Sequence, residues 1–296
     1  MPTVYDVITA KIVEKLERGT VPWHKPWNLE TGAPRNLTSG KPYKGINVFL
    51  LGCQAYASPF WGTYKQITEL GGHVRKGERG SPIVFWRWLD GQDEEGKDRK
   101  VPLCRYYTVF NLDQSEGVEH KRLDEMAKPK ASPFTPIERA ENLLRGYPNP
   151  PSIRTTGRAA FYRPSDDSVT MPAPESFESP EAFYSVLFHE LGHSTGHKSR
   201  LAREGVTDSQ RFGNHLYSKE ELIAEMSASF LRAFAGIDTE PLVDNSAAYL
   251  ASWLRVLRKD SRMVVFAAAA AQKAVDHIRA VKAAEEAEFT EMELAA

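Results

Sequence analysis

Cysteine is almost absent: Cys53 and Cys104 are the only two in 296 residues. A disulfide framework and a thiolate zinc site are therefore excluded, and nothing points to an oxidising compartment. Long apolar runs are missing as well. The longest, Met263 to Ala271, is Ala-rich and falls well short of the roughly 20 residues that a membrane-spanning helix needs. The opening residues Met1 to Asp6 lack the basic-then-apolar profile of a secretory signal. A cytoplasmic protein with no membrane partner is expected. Charge of one sign is also scarce, with a net charge of −1, so a nucleic-acid partner cannot be argued from net charge alone.

What is present is unevenly distributed. Residues 1–130 carry 20 basic side chains against 16 acidic ones, and residues 131–296 carry 18 against 23. Tryptophan is concentrated early: Trp23, Trp27, Trp61, Trp86 and Trp88 precede the lone Trp253. Cations interleave with these rings in Trp23-His24-Lys25-Pro26-Trp27, Tyr43-Lys44, Trp61-Gly62-Thr63-Tyr64-Lys65 and Trp86-Arg87-Trp88. Exposed rings beside cations suit single-stranded nucleic acid, because bases stack on the rings and Lys or Arg neutralises phosphate. The competing reading is that the rings are core and that Lys41, Lys44, Arg75, Lys76 and Arg79 are solvated surface charges.

Periodicity divides the chain in two. Val4, Ile8, Ile12, Val13 and Leu16 predict an amphipathic helix over 4–18, ended by Gly19. Residues 46–56 and 62–70 read as short helices, and Ile83 to Leu89 and Leu103 to Phe110 as strands. From Ser115 to Pro136 the composition turns polar, as in a linker. A helix over 137–146, strands over 152–155, 159–163 and 168–171, and helices to the end follow, the last two over 246–260 and 262–288.

His189-Glu190-Leu191-Gly192-His193 carries the most specific chemistry. Two histidines four residues apart on a helix present their rings on one face, where both can bind one divalent metal. Glu190 is then placed to take a proton from water that the metal activates. Ser179 as N-cap and Pro180 at the first helical position start this helix, and Gly192 permits close approach of a neighbour. A catalytic zinc needs a third protein ligand. His197 is a weak candidate, since a helix stopped near Gly196 would turn it away. Glu221 and Glu225 share one helix face a turn apart, and Glu-x-x-Ala-Glu resembles the glutamate helix of gluzincin-type peptidases. On that resemblance Glu221 binds metal and Glu225 orients a histidine. A capping box between Ser218 and Glu221 would instead leave Glu225 as the ligand. Tyr217 and His215 are candidates for stabilising an oxyanion.

Over nearly its whole length the chain resembles the ArdC-type antirestriction proteins of conjugative plasmids. The first half shares Val21 to Trp27, Tyr43 to Asn47, Gly71 to Gly77 and Val109 to Gln114 with them. The second half shares His189 to Arg200, Arg211 to Gly213, Tyr217 to Glu225 and Tyr249 to Asp260. The resemblance implies an α+β chain. A mixed α/β single-stranded-DNA-binding domain over 1–115 and a linker over 116–136 would precede a mostly helical, zincin-like metallopeptidase domain with a small β-sheet over 137–296. It also implies protection of incoming plasmid DNA from host restriction during conjugation. Trp23, Lys25, Trp27, Tyr43, Lys44, Arg75, Lys76 and Arg79 are the expected DNA surface, with the turns at Gly71-Gly72 and Gly77 bringing backbone N–H groups near phosphates. Zn²⁺ suits two histidines and a carboxylate, and Mn²⁺ also fits. Two functions follow: a peptidase that cuts a host protein met on single-stranded DNA, or a non-proteolytic coat whose metal site is structural or vestigial.

Overall fold

The computed structural model describes residues 2–24, 27, 32–54, 56–92, 98–119, 134–207, 215–238 and 247–281; the described side chains exclude those of 86–104, 215–217 and 247–248. Helix α1 (Val4–Glu17) starts at a capping box, in which Thr3 accepts from the Asp6 N–H while Asp6 accepts from the Thr3 N–H. Its apolar positions recur every four residues, so Ile8, Ile12 and Leu16 form one buried stripe. Strand β1 (Arg35–Asn36), helix α2 (Ile46–Gly52), strand β2 (Phe60–Thr63), helix α3 (Tyr64–Glu69) and strand β3 (His73–Val74) follow. The long hairpin of β4 (Ser81–Gln92) and β5 (Asp98–Asn111) then leads to β6 (Ser115–Glu116).

The sheet order is β1-β2-β5-β4, with β1 parallel to β2 and the other pairs antiparallel. The hairpin is in register from Ser81 opposite Val109 to Gln92 opposite Asp98. Asn47 covers part of the β4 edge, its side chain bonding the Val84 carbonyl and N–H at 2.8 and 2.7 Å. Two expectations change here. The segment expected to be helical over 62–70 begins inside strand β2, and the helix expected over 46–56 ends at Gly52. Of the expected linker, residues 120–133 lie outside the described residues.

The second half opens with α4 (Pro136–Gly146), again entered through a capping box, between Thr135 and Glu138. Strands β7 (Ser152–Thr155), β8 (Phe161–Arg163) and β9 (Ser168–Met171) form a sheet of order β7-β9-β8. Strands β8 and β9 pair antiparallel, and β7 runs parallel to β9. The helices are α5 (Pro180–Ser194), the short α6 (Glu204–Thr207), α7 (His215–Ala235), α8 (Ala247–Lys259) and α9 (Met263–Ile278). None among the described residues is long and apolar enough to cross a membrane.

One apolar core takes side chains from both halves. Ile8, Ile12 and Leu16 of α1 and Val48, Phe49 and Leu50 of α2 join Leu187, Phe188, Leu222, Met226, Phe230 and Val264. Phe49 stacks on Phe230 with centroids 4.7 Å apart, and Trp27 meets Phe230 and Phe234 at 6.2 and 5.2 Å. Burying the Phe49 and Phe230 rings contributes about 1.5–3 kcal/mol each. At the far ends of the chain, α1 packs against α8 and α9, and the Thr9 hydroxyl donates to the Ser261 carbonyl.

That core corrects part of the expected DNA surface. Trp23, Trp27 and Tyr43 are 1%, 6% and 2% exposed, and a ring with no free face offers nothing for a base to stack on. The Trp-cation alternation of residues 23–27 turns its rings inward onto α7 and α8.

Candidate metal centre

Helix α5 begins where its sequence says it should. Ser179 accepts from the Ala182 N–H at 3.1 Å, and Pro180 occupies the first turn, where it costs no hydrogen bond. The face bearing Leu187 and Leu191 is buried, which turns His189 and His193 toward α7. Gly192 permits the approach: a Cβ there would lie 3.0 Å from the Ala224 Cα and 3.1 Å from the Ser227 Cβ.

Across that contact His189, His193 and Glu221 bring one ligand atom each to within 4.8 Å of one another. The two Nε2 atoms are 3.2 Å apart, and Glu221 lies 3.6 Å from His189 Nε2 and 3.5 Å from His193 Nε2. Two ring nitrogens and a carboxylate converging on one point form a donor set suited to a divalent metal such as Zn²⁺ or Mn²⁺. Glu190, on the same helix, is 8% exposed.

The neighbouring acids have separate roles. Glu225 falls outside the three-residue group. Its carboxylate accepts from the Trp23 indole N–H at 3.0 Å and from the Tyr249 hydroxyl. Burial is the main influence on it and raises its pKa despite those two donors. Glu220, which the sequence reading left without a role, faces His193 Nδ1 at 3.4 Å and is gripped by Arg203. Burial opposes the charged form of His193, but Glu220, Glu221 and Glu190 outweigh it and raise its pKa. Burial likewise opposes ionised Glu220, yet Arg203 and His193 prevail and lower its pKa.

Other expected residues fall in different places. His197 turns its Nδ1 to the Ser199 hydroxyl at 2.8 Å and stands outside the three-residue group. Helix α7 already runs from His215, so Ser218 sits within it and does not cap it. The side chains of Tyr217 and His215 lie outside those described, as does Lys25. Arg75, Lys76 and Arg79 are exposed and Lys44 is half-buried; Arg75 pairs with Glu78 at 2.9 Å. Two exposed rings in the first half are Tyr64 and Tyr106, at 59% and 52%. Tyr64 stood inside an aromatic-cation run, whereas Tyr106 follows only the Arg105 of a strand and gave no such signal.

Comparison with known proteins matches this arrangement. Residues 2–110 match the N-terminal domain of anti-restriction factor ArdC, and residues 138–271 match the zincin-like metallopeptidase family. The metal-free crystal structure of the antirestriction ArdC protein from the R388 plasmid is 36% identical, with a TM-score of 0.73 over 94% of this chain and 97% of that one. Its Mn(II)-bound structure is 35% identical, with a TM-score of 0.73 over 98% and 100%. The uncharacterized protein y4eC of Sinorhizobium fredii is 35% identical over 94% of this chain and 92% of its own length. Two DNA primase TraC proteins of Escherichia coli are 37% identical over 93% of this chain, which spans only 20% and 27% of their lengths. In sequence and in three-dimensional arrangement, this α+β chain belongs to the ArdC antirestriction family, with a helical zincin-like C-terminal domain.

Proposed function

We propose that this protein binds single-stranded DNA through its N-terminal half and protects entering conjugative plasmid DNA from host restriction. Its second half acts as a zinc-dependent metallopeptidase on a protein met at that DNA. The observation that carries the peptidase reading is the convergence of His189, His193 and Glu221 beside Glu190. A structural metal site needs ligands but no general base, so the glutamate between the histidines favours hydrolysis. Zn²⁺ or Mn²⁺ held there would polarise a scissile carbonyl and make water nucleophilic near neutral pH. Glu190 takes the proton of the attacking water on its carboxylate and returns it to the leaving amine. The exposed edge strand β8, packed beside α5, is suited to aligning an extended peptide.

For DNA, the exposed cations Arg75, Lys76 and Arg79 supply phosphate contacts, and the exposed rings of Tyr64 and Tyr106 take over the stacking role expected of the buried tryptophans.

The test compares wild type with Glu190→Gln and His189→Ala in metal content, single-strand binding and protection of transferred DNA. About one metal per chain in wild type, its loss in His189→Ala, and lost protection with intact DNA binding in Glu190→Gln are expected. Full protection by Glu190→Gln would refute proteolysis and leave a DNA coat.

A further inference from the structure

Beneath the metal group lies a second layer of charge that the hydrolytic chemistry does not use. An imidazole can offer its Nε2 lone pair to a metal only when the ring proton sits on Nδ1. In His193, Nε2 faces Glu221 and His189, while Nδ1 faces Glu220 Oε1 at 3.4 Å. A carboxylate accepts only, so Glu220 selects the tautomer with the proton on Nδ1.

Glu220 is a long side chain, and it orients His193 only if it is itself held. Arg203 holds it from two sides: Nε donates to Oε2 at 2.9 Å and Nη2 to Oε1 at 2.6 Å. The same guanidinium donates to the Thr195 hydroxyl at 2.6 Å and to the Gly192 carbonyl at 2.8 Å. Those groups lie at the C-terminal end of α5, where helix carbonyls lack partners within the helix. Arg203 thus ties the end of the helix bearing His193 to the helix bearing Glu221. Its seat depends on Gly196, where a Cβ would lie 3.0 Å from Arg203 Nη2 and 2.5 Å from Val206 Cγ2.

We propose that Arg203 is a positioning residue for the metal centre, acting through Glu220 to fix the tautomer and orientation of His193. The inference rests on the metal-binding reading of His189, His193 and Glu221. Lysine cannot replace it, because an ammonium has no planar fork to hold both carboxylate oxygens while reaching the helix end.

The experiment is a Mn²⁺ titration of the full-length protein, followed by electron paramagnetic resonance. Wild type is compared with Glu220→Gln, Arg203→Lys, Arg203→Ala and the double variant Arg203→Ala/Glu220→Gln, with metal-free melting curves recorded on each. Each single substitution is expected to weaken Mn²⁺ binding by about 10–100-fold, the usual effect of losing an outer partner of a metal-bound histidine. The double variant should be no weaker than the weaker single one, because the two residues act in series. A merely structural Arg203 would lower the melting temperature and leave the affinity of the folded protein unchanged. Wild-type affinity in Glu220→Gln, which keeps the size of the side chain, would overturn the proposal. So would losses that add in the double variant. Failure of wild type to bind either Mn²⁺ or Zn²⁺ would remove the metal reading itself.

Discussion

Trp23 donates its indole N–H to Glu225 Oε2 at 3.0 Å, joining residues 202 positions apart. The tryptophan comes from the segment after α1, and the carboxylate lies one helical turn beyond Glu221. The surroundings of the candidate metal centre are therefore completed from the N-terminal half. Trp23→Phe keeps most of the packing against Trp253, whose ring lies edge-on at 5.8 Å, but leaves a largely desolvated carboxylate with one donor fewer. A loss of about 1–3 kcal/mol in unfolding free energy is expected, to be read by denaturant titration. Unchanged stability would show that the N–H is dispensable.

Helix α5 approaches α7 through a position without a side chain. Gly192→Ala places a methyl 3.0 Å from the Ala224 backbone, which neither helix can relieve by rotating a side chain. The expected cost is about 1–3 kcal/mol. Because the displaced helices carry His193 and Glu221, metal affinity should fall together with the melting temperature. Calorimetry with and without added metal checks both.

Burial, with Arg232 adding to it, depresses the pKa of His24 from its ordinary 6.5 to about 4. Protonation therefore favours the unfolded chain. The stability this confers is complete above pH 6.5 and is lost as the pH falls toward 4. The loss is on the order of 2 kcal/mol, since one pKa unit is worth about 1.4 kcal/mol and screening at this half-buried ring reduces the total. Denaturant titrations from pH 7 to pH 4 should show a drop in wild type that is smaller in His24→Gln.

On the DNA side, the triple substitution of Arg75, Lys76 and Arg79 by Gln should weaken single-strand binding uniformly across sequences. It should also flatten the salt dependence, with log K against log salt losing about 0.7 in slope for each phosphate contact removed. Fluorescence anisotropy at several salt concentrations measures both. An unchanged slope would place the phosphate track elsewhere.

The convergence of His189, His193 and Glu221 is the part of the candidate site that the sequence shows most directly. Helical spacing puts its two histidines on one face, and the resemblance to the gluzincin glutamate helix points to Glu221, with Glu225 left as the alternative. Glu220 was hidden because adjacent residues on a helix point in different directions, so two neighbouring acids look equivalent until the partner helix is placed. Arg203 lies beyond the end of the metal helix, where no periodicity constrains a side chain. The buried tryptophans Trp23 and Trp27 differ from the expectation for another reason: aromatic-cation alternation looks the same on a DNA-binding face and in a segment whose rings turn inward to a core. Strand β2 went unseen because Phe60-Trp61-Gly62-Thr63 is buried throughout and lacks the polar-apolar alternation of a half-exposed strand.

The bond from Thr9 to Ser261 spans 252 positions. A ribosome adding roughly 5–20 residues per second reaches Ser261 on the order of 13–50 s after it has made Thr9. For most of that interval the apolar stripe of α1 precedes α8 and α9, the helices it packs against. An element made early is therefore among the last to find its place, because the helices that seat it are made only after the candidate ligands His189, His193 and Glu221.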